Sequence, residues 1–308
     1  MMFDIVGKRF WFFLISAVFI LIGAISLLAF GLKPSIEFTS GSMLTVDFEQ
    51  KVAQSQLTAE LANLGYSNVI IQRTGAGDYL IRTREVNADE KKQLEDALSA
   101  KFGKLTETQF DSVSPMIAAE TAKNAGIAIA IASIGILLYL TWAFRRMPHP
   151  VRYGTCAVIA LIHDAFIALG IFAILGGILN WQVNLMFITG ILTIIGYSVN
   201  NIVVIFDRIR ENLRLGVSPE FEIVVNNSLV ETLGRSLNTI ITTLIAVFAL
   251  MAFVGATIQN FVVVLIIGLI AGTFDSICIA PMLLIVWDKG EWHRFVNWLP
   301  FAASRAKG

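Results

Sequence analysis

Four stretches of this sequence carry no charged residue: Trp11 to Leu32, Asn124 to Phe144, Ala165 to Phe206 and Ser236 to Phe274. A helix of about 20 apolar residues crosses the hydrocarbon of a bilayer, and the last two runs are long enough for more than one crossing. The third breaks at Gly176, Gly177, Asn180, Trp181 and Gln182, and its upstream part continues through Asp164 back to Tyr153. The fourth breaks at Gly255 to Asn260 and continues through Asp275 to Trp287. Six spans follow. Charged residues make up 15% of the chain against about 25% in ordinary soluble domains, which excludes a soluble globular protein.

The charges that remain are unevenly placed. Twelve of the 23 acidic residues lie between Ser35 and Pro115, so a soluble domain is inserted after the first span. Within it, Met43 to Phe48, Val69 to Arg73, Tyr79 to Arg84 and Leu105 to Val113 have strand character. Gly75 and Gly77 mark a hairpin turn between the middle two; no Lys-Ser/Thr follows to make a phosphate loop. Leu57, Leu61 and Leu64 repeat at helical spacing, and Asn87 with Glu90 predicts a capping box before Leu94, Leu98 and Phe102. The order β-α-β-β-α-β predicts a ferredoxin-like sandwich. The expected fold is thus an α-helical polytopic membrane protein of six transmembrane helices, with one ferredoxin-like α+β extracytoplasmic domain between helices 1 and 2. The expected divisions are residues 1–34 (N-terminus and first helix), 35–118 (soluble domain), 119–288 (helices 2 to 6) and 289–308 (tail).

Short cytoplasmic loops retain Lys and Arg. Lys8 and Arg9 precede span one, Arg145, Arg146 and Arg152 join spans two and three, Arg208, Arg210, Arg214 and Arg235 join four and five, and Lys289 and Arg294 follow six. The connections around Asn180 and Thr257 are uncharged. Both termini are expected in the cytoplasm and the soluble domain outside. The first apolar segment exceeds the 7 to 15 residues of a signal-peptide core and no small-x-small site follows it, so it is expected to stay as an anchor. Trp142, Trp181, Trp287 and Trp292 fall where indoles anchor at interfaces. Equal numbers of acidic and basic residues give no reason to expect nucleic acid as a partner. Cys156 and Cys278 sit in apolar runs and read as packing residues, not as metal ligands.

An ionisable residue inside a span costs about 2.5 to 3.5 kcal/mol on insertion scales and is a functional candidate by default. The candidates are His163, Asp164 and Asp275, with Arg235 at a boundary. Ala157, Ala160, Asp164 and Ala168 share one helical face, as do Gly268, Gly272, Asp275 and Ile279, so both carboxyl groups are expected to face protein. Each is read either as a proton-exchanging group or as a protonated hydrogen-bonding one. His163 is read as a relay to Asp164 or as a structural imidazole, since neighbours on a helix point about 100° apart. Thr193, Tyr197, Asn200 and Asn201 on span four and Arg235, Asn238, Thr239 and Thr242 on span five add polar faces, read together as a polar centre or as plain interhelical hydrogen bonds. The soluble domain holds neither His nor Cys, and no catalytic chemistry is expected of it.

The run TIIGYSVNNIVVIFDRIREN from Thr193 to Asn212 resembles the fourth-span signature of the SecF-type members of the SecD/SecF family of protein-export membrane proteins. FDIVGKRFWF from Phe3, VIALIHD ending at Asp164, TLGRSLNT ending at Thr239 and GTFDSICIAPMLL from Gly272 extend the likeness over nearly the whole chain. Asp207, Arg208, Arg210 and Glu211 form the cytoplasmic end of the signature. The resemblance implies half of a transporter unit akin to resistance-nodulation-division pumps, paired with a SecD-like subunit beside the Sec translocon in a plasma membrane. It implies use of the proton-motive force to help draw out or release preproteins, with membrane lipid as surroundings and no cofactor. Arg235 maps onto the family's functional arginine. A small-molecule antiporter half and a purely structural translocon scaffold are the alternatives.

Three departures stand out. The family reads Asn-Asp where this chain has Asn200 and Asn201, so an amide replaces a carboxylate of the family's proton path. Asp275 stands where the family has a small polar residue, and is expected near Arg235 and the Asn200/Asn201 face as a replacement; the alternative is that the partner's own span-four carboxylate suffices and Asp275 is only hydrogen-bonded. The family's glycine pair after span one becomes Ser40 and Gly41.

Overall fold

In the computed structural model, described over residues 4–74, 77–145, 147–253 and 256–292, ten α-helices and four strands follow one another. Helix α1 spans Arg9–Phe30 and α2 is a single turn, Ile36–Thr39. The soluble domain then runs β1 (Gly41–Phe48), α3 (Gln54–Asn63), β2 (Ile70–Arg73), β3 (Tyr79–Thr83), α4 (Ala88–Phe102) and β4 (Leu105–Val113). Helices α5 (Pro115–Ala143), α6 (Pro150–Leu179), α7 (Leu185–Leu215), α8 (Phe221–Phe253), α9 (Ala256–Phe274) and α10 (Ala280–Lys289) complete the chain; a π-helical turn over Asp275–Ile279 joins α9 to α10. Six helical segments are long and apolar enough to cross a membrane, with α9, the π turn and α10 acting as the sixth. The expected hairpin turn at Gly75, and Arg146, Gly255 and Arg294, lie outside the described residues.

The sheet has the order β2-β3-β1-β4, antiparallel throughout, as a ferredoxin-like sandwich requires. Alternation along β3 sends Tyr79, Ile81 and Thr83 to one face and Leu80 and Arg82 to the other. On the first face, Leu44, Val46, Ile71, Tyr79 and Ile81 pack under Leu57, Leu61, Leu94 and Leu98 of α3 and α4. Leu64 is exposed instead, because α3 ends one residue before it. The capping box forms: Asn87 Oδ1 accepts from Glu90 N–H, and Glu90 Oε2 accepts from Asn87 N–H.

The turn after α2 explains the altered glycine pair. Gly41 has φ +119, and a Cβ there would lie 2.5 Å from Thr83 O, so no other residue fits. Ser40 holds φ 66 and ψ 171, a conformation otherwise almost confined to glycine.

The membrane helices run past the uncharged stretches. α5 starts at Pro115 and includes Glu120 and Lys123, while α8 starts at Phe221 and includes Glu222, Glu231 and Arg235, since a helix continues beyond the hydrocarbon wherever its residues favour it. α1 and α6 touch at glycines: a Cβ on Gly170 would sit 2.6 Å from Gly23 Cα. Trp181 is buried against Phe172 and is not an interfacial anchor, because the turn after α6 folds it inward; Trp142 is 60% exposed.

Candidate functional site

Asp164 lies on the face of α6 made by Ala157, Ala160 and Ala168, and all four are completely buried. These alanines let neighbouring helices approach the carboxyl group closely. Ser198 on α7 donates through Oγ to Asp164 Oδ2 at 2.6 Å. Opposite, Gly272 on α9 leaves room for that contact: a Cβ there would meet Ser198 Oγ at 3.2 Å and Asp164 Oδ2 at 3.4 Å.

Asp275 opens the π turn and is also fully buried. π turns occur mostly as single insertions in α-helices and often mark functional positions. Pro281, at the start of α10, lacks the N–H of an ordinary helix and cannot tolerate a carbonyl four residues back, which accounts for the irregular turn preceding it. His163 Nδ1 approaches Asp275 Oδ2 at 2.6 Å, and His163 Nε2 lies 2.6 Å from Ser16 Oγ on α1. The imidazole therefore serves Asp275, not its sequence neighbour. Ligating atoms of His163, Asp164 and Asp275 all lie within 4.8 Å of one another. Among the described residues, Asp164 Oδ1 and Asp275 Oδ1 are buried without a hydrogen-bond partner. A chain of polar groups, Ser16, His163, Asp275, Asp164 and Ser198, thus draws together α1, α6, α7 and the sixth span.

Two carboxylates this close in a low-dielectric interior cannot both be charged without a compensating proton or cation. A neutral imidazole can donate from one ring nitrogen and accept at the other, and each carboxyl group keeps one oxygen open to receive a proton. Chemically, such a set can hold a shared proton or a small cation.

The other candidates divide. Asn201 Nδ2 donates to Ser276 Oγ, so the amide adjoins the residue after Asp275. Asn200 is exposed, and so is Arg235, which has no ion pair among the described residues and does not join the cluster. That corrects the expectation that Asp275 lies beside Arg235: α8 turns Arg235 outward. The expected polar centre of spans four and five is an outward face instead. Thr193, Asn200, Asn238, Thr239 and Thr242 are exposed, and Tyr197 OH reaches across to Thr243 Oγ1 at 2.5 Å and to Thr239 O at 3.3 Å.

Toward the other end of the helices, Arg208 pairs with Glu211 and Glu231, both at 2.6 Å, and Arg210 with Asp207. Sequence reasoning missed a second group there. Arg9 is buried, bonding Glu291 through Nε and Nη2 and Glu222 through Nη1 at 2.7 Å. Ser16 was missed too, as one hydroxyl in an apolar run.

Residues 93–290 match the family model described as protein export membrane protein SecD/SecF, C-terminal, and residues 25–52 match the SecD/SecF GG motif. The protein translocase subunit SecF of Thermobaculum terrenum is 41% identical over 305 residues, covering 95% of this chain and 96% of that protein. The chain belongs to the SecD/SecF family. The SecDF protein of Bacillus subtilis is 33% identical over 94% of this chain, which spans 38% of it. Among solved structures, SecDF of Thermus, titled a translocon-associated membrane protein, superposes with TM-score 0.85 at 27% identity, covering 94% of this chain and 39% of that one. The Thermobaculum and Bacillus relatives are named protein translocase subunits, which favours export over the antiporter and scaffold readings. Six apolar helices and these relatives make the chain a multi-pass membrane protein.

Proposed function

We propose that this chain is an accessory subunit of the Sec protein-export machinery that couples the proton-motive force to late translocation and release of preproteins, with proton exchange at His163, Asp164 and Asp275. The observation that carries this reading is two fully buried carboxyl groups and an imidazole within 4.8 Å inside the spans. Asp275 takes over the charge that Asn201 lacks. One charge moved through 100 mV carries about 2.3 kcal/mol, enough to bias a two-state motion.

The SecD-like partner covers the polar stripe of α7 and α8, where Thr189, Thr193, Gly196 and Asn200 share an exposed face beside Arg235, Asn238 and Thr242. Polar groups at membrane depth are better served by protein than by lipid. Arg235 then acts across that interface. The apolar exposed faces of α1 and α5, such as Phe19, Leu21, Ile131 and Leu138, meet lipid. Arg9, Arg152, Arg208 and Arg210 gather at one end, where Arg9 meets Glu291 and Arg152 meets Asp288; this supports cytoplasmic termini and an outside soluble domain.

The test is preprotein release from proteoliposomes holding the translocon, its motor, a SecD-like subunit and this chain, with and without a proton gradient. Gradient-stimulated release should fall to the ungraded level in Asp275→Asn and Asp164→Asn. Stimulation kept in both variants would remove the cluster from the coupling.

A further inference from the structure

Among the described residues, the soluble domain meets the membrane helices where α2 packs on α5 and at the turn between α6 and α7, whose Asn180 Nδ2 donates to Ile71 O of β2 at 3.4 Å. Lys33 Nζ donates to Asn180 Oδ1 at 2.7 Å, and Asn180 caps the C-terminus of α6 in a left-handed conformation. Val183 N–H donates to Lys33 O at 2.8 Å and Ser35 N–H to Val183 O at 2.9 Å, so the chain leaving α1 and the chain entering α7 pair as a short parallel bridge at Pro34 and Val183. Glu37 Oε2 accepts from Leu185 N–H, the first residue of α7. Asn260 Nδ2, on α9, donates to Gln182 O at 2.7 Å.

Above this turn stands Arg82, on the face of β3 turned away from the domain core. Its Nη1 donates to Pro34 O at 2.6 Å and to Gln182 Oε1 at 3.3 Å, and its Nη2 donates to Thr39 Oγ1 at 2.5 Å. Gln182 is buried. One planar guanidinium thus grips the segment between α1 and α2, the turn of α2 and the α6–α7 connection together. Arginine's fixed fork suits such a three-way contact, which a single ammonium cannot span.

The same pair of helices carries both ends of a route. α1 holds Ser16 and ends just before Lys33; α6 holds His163 and Asp164 and ends at Asn180. The glycine contact of Gly23 and Gly170 packs the two helices backbone to backbone between those points. From Asp164 to Asn180 is about 24 Å of unbroken helix. Resting on the proton-exchange reading above, we infer that Arg82 is a positioning residue for coupling: it transmits displacement of the α1/α6 pair at the His163–Asp275 contact to the sheet of the soluble domain through Gln182. Packed helices shift as rigid bodies, and a close polar fastening at their ends passes that shift on.

The test uses the full chain with its SecD-like partner and the translocon in proteoliposomes, with a pH-sensitive dye inside to follow proton entry alongside preprotein release. Arg82→Gln and, independently, Gln182→Ala should leave proton entry within twofold of wild type and cut gradient-stimulated release at least fivefold. Gln182→Glu, which gives Arg82 a charged acceptor, should keep full stimulation. Unchanged stimulation in both Arg82→Gln and Gln182→Ala overturns the inference and leaves the proton site standing. Loss of proton entry together with release also overturns it, because the joint would then only hold the cluster in shape. Wild type without gradient-driven proton entry overturns the proton-exchange reading and the inference with it.

Discussion

His163 and Asp275, 112 residues apart in sequence, meet inside the membrane helices with Nδ1 and Oδ2 separated by 2.6 Å. Asp275 makes the contact from the first position of the π turn, and the imidazole is held from behind by Ser16 of the first span. Removing either partner leaves the other buried without its hydrogen bond. His163→Ala strands the buried Asp275 carboxyl group, at about 1 to 3 kcal/mol, and leaves a cavity where the ring stood, so it should cost more than Ser16→Ala. Ser16→Ala should cost about 1 to 3 kcal/mol, that of one unsatisfied buried group. Thermal unfolding in detergent, followed by fluorescence, ranks the two.

Glycines at the helix contacts give a second prediction. Gly170→Ala puts a methyl group 2.6 Å from Gly23 Cα, where only backbone can yield, and should cost about 1 to 3 kcal/mol. Gly135→Ala on α5 meets nothing within 4 Å and should be neutral or stabilising by up to about 1 kcal/mol. A Gly135→Ala protein that melts earlier than Gly170→Ala would refute the packing assigned to α1 and α6.

At the start of the soluble domain, Ser40 occupies a glycine-type conformation beside Gly41. Restoring glycine should relieve strain of about 1 to 3 kcal/mol, less the entropy that glycine loses on folding. Ser40→Gly is expected to raise the unfolding midpoint, whereas Gly41→Ala, with φ +119 and Thr83 O at 2.5 Å, should lower it sharply. Equal midpoints for wild type and Ser40→Gly would show that the turn carries no strain.

Arg9 sets a fourth case. Its guanidinium is buried between Glu222 and Glu291; Glu222 keeps Lys289 as a second partner, so Arg9→Ala weakens the group without emptying it and should cost up to about 3 kcal/mol. Arg9→Lys keeps the charge but loses the bidentate contact with Glu291, and should fall between. Melting of the three proteins at low and high salt decides it, since a buried pair is screened little.

The spans were legible because charge is excluded from hydrocarbon, and the faces carrying Asp164 and Asp275 followed from helical spacing of Ala157, Ala160, Gly268 and Gly272. The soluble domain was legible too: the capping box of Asn87 and Glu90, and β4 from Leu105 to Val113, lie where local chemistry puts them. What was not legible is long-range. Nothing local tells His163 to choose Asp275 over Asp164, and Ser16 adds one hydroxyl to an apolar run without breaking its period. Pro281 was the available signal for the irregular turn at Asp275. Arg9 looked like an orientation charge because its partners, Glu222 and Glu291, lie more than 200 residues away. Exposure also misled: the polar faces of Asn200 and Arg235 show helical periodicity whether they face the chain's own core or a partner.

Proton exchange at the buried carboxyl pair is measured most directly by infrared difference spectroscopy of the protein in lipid, stepping the pH across neutrality. A protonated carboxyl band should appear and vanish with pH in wild type, shift in Asp164→Asn and be lost in the double variant Asp164→Asn/Asp275→Asn. A band that is absent in wild type, or that survives unchanged in the double variant, would contradict proton exchange at Asp164 and Asp275.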